Sequence, residues 1–254
     1  MASKETYWVF SGADFNLKIS DPKDPSVLVL ANDPDTQSIN SAYYSVVMNR
    51  LIRLINKKGN LPTSLIVDEV STLYLHKIEN LIATARSNQV ALLMGLQELP
   101  QFKQQYGRGV AETICAVAAN VISGSARSKD TLDWLEKLFG KVRQVRSGIS
   151  IDRSRTSVSM NEYMDNLIPA SKIAALKAGE LVAQIGRESN HKSDQGTYHC
   201  KVDIDPASIF REEKYYQDLP KYYDFGSREE KEETLRQNML VINQEVAEMV
   251  DKIC

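Results

Sequence analysis

The sequence predicts an α/β fold with a mainly parallel sheet flanked by helices. Three short apolar runs, Leu65-Ile66-Val67, Val90 to Met94 and Val121-Ile122, read as buried strands. Helical periodicity fills the stretches between them, the alternation that builds a parallel sheet through crossovers. The first run ends abruptly in two carboxylates, Asp68-Glu69. Open α/β sheets bind their ligands at that carboxyl end.

The 254 residues are 43% hydrophobic and 25% charged, which is ordinary for a globular chain able to bury a core. The net charge of −2 argues against a nucleic-acid coat, though not against a local contact. Cys115, Cys200 and Cys254 lack any metal-ligand spacing, and with only His76, His191 and His199 beside them a zinc site is not expected. A reducing, cytoplasmic setting fits this cysteine usage. Met1 leads into polar residues rather than a signal-peptide core, and no run approaches the roughly 20 apolar residues of a membrane span.

Residues 7–19 predict a hairpin, strand-like at Tyr7-Trp8-Val9-Phe10 and turning at Ser11-Gly12-Ala13-Asp14. Pro22 and Pro25 mark a loop, after which Val27 to Leu30 predicts a buried strand. Asp35 or Thr36 caps a long helix reaching about Lys57, stopped by Lys57-Lys58-Gly59-Asn60. A helix near 76–87 precedes the strand at 90–95, and a loop carries Gln97 on to Gln101-Phe102 and Tyr106-Gly107. Helices over 109–118 and 127–139 flank the strand at 120–124. From 141 to 156 five cations (Lys141, Arg143, Arg146, Arg153, Arg155) face one acid, Asp152, in an alternation suited to an exposed β-ribbon. Leu181 to Ile185 and Tyr198 to Ile204 predict a closing antiparallel pair around a polar turn at 188–196. Domain boundaries are expected at 1–204 and 205–254, the latter an acidic, largely helical tail with twelve acids against seven cations. In it Leu235, Met239, Ile242, Val246, Met249 and Ile253 form a seam of period 3.5.

Strand, Asp, Glu is the pattern with which nucleotide hydrolases hold Mg²⁺ through water and polarise the attacking water. An amide on the neighbouring strand end, here Gln97, suits sensing a γ-phosphate and holding that water. The companion phosphate loop, G-x-x-x-x-G-K-[ST], is not in these residues. Its one Gly-Lys pair, Gly140-Lys141, is followed by Val142 and has Leu135 where the first glycine belongs. The bland reading of Asp68-Glu69 is a strand end meeting solvent, and of Gln97 a loop cap. Arg86 in a last helical turn is favourable by the helix dipole alone.

The order of the parts separates these readings. Leu65-Ile66-Val67-Asp68-Glu69, then Ala83-Thr84-Ala85-Arg86-Ser87-Asn88-Gln89-Val90, then Gly95-Leu96-Gln97 on to Tyr106-Gly107 resembles the type IV coupling proteins of bacterial conjugation, the TraG/TraD type. The wording at Asn80 to Arg86 and at Leu167 to Ile173 is similar to the mobilisation coupling proteins of Bacteroides-type elements. The resemblance covers roughly residues 7–205. It implies a RecA-like P-loop NTPase fold, here the C-terminal motor portion without the P-loop part, and with an antiparallel addition and a C-terminal helix.

By the same resemblance the complete protein is a DNA-translocating ATPase, a homo-hexamer at the cytoplasmic face of the inner membrane. It would use ATP and Mg²⁺ to couple relaxase and single-stranded DNA to a type IV secretion channel. Asp68 would support Mg²⁺ through water, Glu69 would activate water, Gln97 would sense the γ-phosphate, and Arg86 would reach a neighbour's nucleotide. Two alternatives remain at this stage: a related DNA-segregation or pilus ATPase, and a non-catalytic RecA-like interaction module. The basic run 141–155 fits a solvated ribbon or a subunit contact better than DNA.

Overall fold

In the computed structural model, residues 3–12, 15–32, 34–152, 155–186, 196–203, 205–217 and 223–253 are described. The turns expected at Ala13-Asp14 and over 188–195 lie outside them, as do Arg153 and Cys254. Contacts divide the chain into two units, Lys18–Ile204 and a second made of Met1–Leu17 with Asp205–Cys254.

The second unit opens with α1 (Lys4–Ser11), where a hairpin was expected. Ser3 caps it by accepting from the Thr6 N–H at 3.2 Å, and Glu5 sits in the first turn. Tertiary contact then overrides the β-propensity of Tyr7 to Phe10. The Tyr7 hydroxyl donates to Asn243 at 3.2 Å, and the Trp8 ring meets Tyr223 and Phe225 at 5.1 and 5.3 Å.

In the larger unit Val27 to Leu30 forms no strand, and Val27 is 88% exposed. A β-branched run becomes a strand only beside a free sheet edge, and none meets this one. A 3-10 turn, Pro34–Thr36, leads into α2 (Gln37–Ile55). Thr36 holds the cap position without a side-chain cap bond; its hydroxyl accepts instead from Asn40 at 2.9 Å. Met48, Leu51, Ile52 and Ile55 bury one face of α2. Asn60 ends the helix by donating to the carbonyls of Leu54 and Ile55.

Strand β1 (Thr63–Val67) pairs in parallel with β2 (Val90–Met94), in register from Thr63 with Val90 to Val67 with Met94. The crossover is α3 (Ile78–Ala85), extended by a 3-10 turn at Arg86–Asn88. Where a loop was expected after Gln97 the chain forms α4 (Leu99–Tyr106). Pro100 in its first turn favours that start, and Leu99, Phe102 and Tyr106 bury one helical stripe. Then come α5 (Arg108–Val117), β3 (Val121–Ser123) and α6 (Lys129–Phe139).

Strands β4 (Lys141–Asp152) and β5 (Arg155–Asn166) form a long antiparallel ribbon that joins no further strand among the described residues. After α7 (Ala170–Ala174), β6 (Glu180–Gln184) pairs antiparallel with both β3 and β7 (Thr197–Lys201). The third strand of the series thus leaves the parallel pair and joins the antiparallel addition. Its core holds Leu135, Phe139, Ile168, Ile173 and Val182. The tail contributes α8 (Pro206–Lys214) and α9 (Arg228–Ile253). No described helix is long and apolar enough to cross a membrane.

Candidate functional site

Alternation along β1 turns Leu65 and Val67 inward, and Val70 beyond the strand is fully buried. Between those anchors the chain must expose Asp68 and half-expose Glu69 at the carboxyl end of the parallel pair. The end of β2 clasps this step from both sides. The Gly95 N–H donates to Val67 C=O at 2.7 Å, and the Val70 N–H donates to Gly95 C=O at 2.9 Å. The approach is so close that a Cβ on Gly95 would lie 2.0 Å from the Asp68 carbonyl oxygen. Glycine in a strand pattern signals such an approach, and Gly95 is a residue the sequence reading did not single out.

Beyond Glu69 the chain turns through Val70–Thr72. The Thr72 N–H and hydroxyl both donate to Glu69 C=O, at 3.1 and 2.8 Å. Ser41 of α2 donates to Thr72 C=O at 2.8 Å and pins the turn. An open cleft of about 410 Å³ forms here, lined by Glu69, Ser71, Thr72 and Gln97, with Gln101 and Gln105 of α4. Glu69 Oε1 and Ser71 Oγ are buried and have no hydrogen-bond partner among the described residues. Buried polar atoms left so are rare and point to a partner outside the protein, such as water or an ion.

The structure therefore brings Glu69 and Gln97 to one cleft. Asp68 lies at the same strand end but is exposed and is not among the residues lining the cleft. Arg86 is exposed in the turn that enters β2, at the opposite end of a five-residue strand from Gln97. At the usual rise that separates them by about 16 Å or more. No ion pair joins Arg86 to Glu79 or to any other described residue.

Two supports of the cleft had no structural role assigned to them in the sequence. Glu98, next to Gln97, accepts from the N–H groups of Arg127 and Ser128 at 2.8 and 3.1 Å and from the Thr131 hydroxyl at 2.5 Å. Its carboxylate thus ties the Gln97 loop to the N-terminus of α6, where Ser128 is also the cap. Burial raises the Glu98 pKa, but the bonds from Thr131, Arg127 and Ser128 outweigh it and hold the carboxyl below its ordinary value. Nothing in the local spacing pairs positions so far apart in sequence.

The second support is Tyr106. Its hydroxyl donates to Leu73 C=O at 2.8 Å and accepts from the Leu75 N–H at 3.2 Å, fixing the loop after Glu69. Burial pushes the phenol up to about 12, with the Leu75 N–H pulling the other way. The Tyr106-Gly107 pair marked in the sequence is therefore a brace, with Gly107 at φ +79° closing α4.

Whether the site fits Mg²⁺ and nucleotide can be tested on its donors. A carboxylate oxygen without a partner, a free hydroxyl and an amide suit water and a hydrated cation, which Mg²⁺ prefers to a full protein cage. No group of three or more His, Cys, Asp or Glu able to hold a metal directly occurs among the described residues. The residues present fit the water and Mg²⁺ edge of a nucleotide site, and the sequence holds no P-loop for its phosphates.

Residues 62–178 match the family described as the TraM recognition site of TraD and TraG. The chain carries a TraG/TraD-type coupling-protein segment. It contains Asp68, Glu69, Arg86, Gln97 and the Tyr106 brace. A likeness of fold to solved structures extends beyond that segment. The bacterial conjugative coupling protein TrwB, in an unbound monoclinic form lacking 70 residues, is similar with a TM-score of 0.59 and 18% identity, over 76% of this chain and 44% of that one. TrwB with the ATP analogue ADPNP gives 0.56 and 16% over 76% and 43% of the chains; TrwB with ADP and Mg²⁺ gives 0.57 and 16% over 76% and 44%. These likenesses establish the RecA-like α/β fold. The chain spans less than half the length of the coupling-protein structures it matches. No curated protein matches it.

Proposed function

We propose that this chain is the acidic-strand portion of a conjugative DNA-translocating ATPase, a coupling protein that delivers relaxase-bound single-stranded DNA to a type IV secretion channel. The observation that carries the reading is the unpartnered Glu69 Oε1 in the cleft that Gln97 shares, at the carboxyl end of a parallel strand pair. Mg·ATP would supply the phosphoryl group and the charge that this edge of the sheet serves. Glu69 takes the proton of the attacking water. Gln97 orients that water, and Ser71 offers a further hydroxyl beside it. Asp68, at the same strand end, would hold Mg²⁺ through its water shell. Arg86, far from its own cleft, acts on a neighbour's nucleotide in a ring of copies.

TrwB's complexes with ADPNP and with ADP and Mg²⁺ support nucleotide and Mg²⁺ as ligands of the complete protein. The match to a TraM recognition site supports a relaxosome protein as partner. The working place would be the cytoplasmic face of the inner membrane.

The test is Glu69→Gln in a complete, P-loop-bearing protein. ATP binding should stay close to wild type while phosphate release falls by about 10²-fold or more. Unchanged turnover would remove Glu69 from its role. A second reading, a RecA-like interaction module without catalysis, is favoured by the missing G-x-x-x-x-G-K-[ST]. Purified residues 1–254 should release no phosphate from Mg·ATP on either reading, so only the complete protein separates the two.

A further inference from the structure

The turn after β1 carries two hydroxyls in succession, and the fold uses them differently. Thr72 turns its own inward, donating to Glu69 C=O at 2.8 Å beside its N–H at 3.1 Å. Ser71 Oγ is buried and has no partner among the described residues, in the same cleft as the equally unpartnered Glu69 Oε1. Buried polar atoms are seldom left so, and a water that reaches both satisfies both.

The backbone fixes these two side chains before any ligand arrives. Val70 between them is fully buried, and its N–H donates to Gly95 C=O at 2.9 Å. The Leu73 N–H donates to Val70 C=O at 3.3 Å, and Ser41 donates to Thr72 C=O at 2.8 Å. Position 71 is therefore tied down on both sides. The amides lining the rest of the cleft differ, since Gln97, Gln101, Gln104 and Gln105 are exposed and on long side chains that pay rotamer entropy to be ordered.

We propose that Ser71 Oγ and Glu69 Oε1 together hold the attacking water, which makes Ser71 a second water-binding residue of the hydrolytic site. This rests on the reading of Glu69 as the base. One O–H of the water donates to Glu69 Oε1, which takes that proton as the water oxygen bonds to the γ-phosphorus. The other O–H donates to Ser71 Oγ and stays on the phosphate product, while the electrons of the broken P–O bond leave with ADP. With both O–H groups held, the lone pairs of the water are left for the phosphorus. Ser71 orients the nucleophile and takes no proton.

Two measurements test it. A crystal structure of residues 1–254 should show one ordered water within about 3.2 Å of both Glu69 Oε1 and Ser71 Oγ, and the Ser71→Ala structure should lack it. In a complete, P-loop-bearing protein, Ser71→Ala should lower kcat about 10-fold and leave KM for Mg·ATP unchanged, as one lost hydrogen bond to the nucleophile would. Added to Glu69→Gln, the same change should cost nothing further, because both side chains act on one water. No shared water, a normal kcat in Ser71→Ala, or a further loss of about 10-fold in the double variant overturns the proposal and leaves Glu69 as the base. Wild-type turnover in Glu69→Gln removes the base itself, and the proposal with it. Should Ser71→Ala lose its circular dichroism spectrum, Ser71→Cys replaces it under the same criteria, since a thiol is only a weak acceptor.

Discussion

Gly95 shows how little room the site leaves at single residues. Its backbone bonds on both sides of Asp68-Glu69, so neither chain can retreat from the 2.0 Å approach that a Cβ would make to the Asp68 carbonyl. Gly95→Ala should destabilise the chain by about 1–3 kcal/mol, the usual range for overpacking, read as a lower urea midpoint. Wild-type stability would show that the clasp yields. Glu98 makes a pH claim. Its folded pKa lies below the ordinary carboxyl value it has in the unfolded chain. Its contribution is therefore fully present above that value and lost as pH falls through the folded pKa. Glu98→Gln should be less stable than wild type at pH 7, with the gap closing as acid titrates the folded carboxylate. A gap independent of pH would mean that packing, not charge, is what Glu98 supplies.

At the scale of elements, the cleft exists because three of them are tied to one another. Helix α2 pins the turn after Glu69 through Ser41, α6 anchors the Gln97 loop through Glu98, and α4 braces 73–75 through Tyr106. Tyr106→Phe keeps the ring stacked near Tyr74 and Phe102 but leaves the Leu75 N–H, in a buried residue, without its acceptor. The expected loss is about 1–3 kcal/mol, with hydrogen exchange at Leu75 accelerating before that of β1. Equal protection at both would assign the stability to the ring alone.

For the whole molecule, the position of Arg86 at the far end of β2 from Gln97 has a kinetic consequence on the proposed reading. A finger that cannot reach its own cleft acts only between copies. In a complete protein, Arg86→Ala should leave nucleotide affinity unchanged and lower turnover by about 10³-fold, the small end of arginine-finger effects. Mixing Arg86→Ala with Glu69→Gln copies should recover activity at interfaces where the intact Arg86 of one meets the intact Glu69 of the next. Without recovery, Arg86 would belong to the fold of α3 and not to the chemistry.

The sequence by itself determined the α/β class, the parallel run at 65–69 and 90–94, the closing antiparallel pair and the TraG/TraD resemblance. Those features are local: short β-branched runs, helical periodicity and a motif order need no partner to be read. Only tertiary structure decided that Tyr7 to Phe10 is helical on α9, that Val27 to Leu30 forms no strand, and that 99–106 is a helix. A strand requires an edge and a half-buried helix a surface, and neither is written in the segment itself. The same holds at the site. Glu69 and Gln97 were legible because they end adjacent strands, whereas Glu98, Thr131 and Tyr106 act across roughly thirty residues of chain. Such contacts are set by how the helices pack, and packing is a property of the folded chain alone.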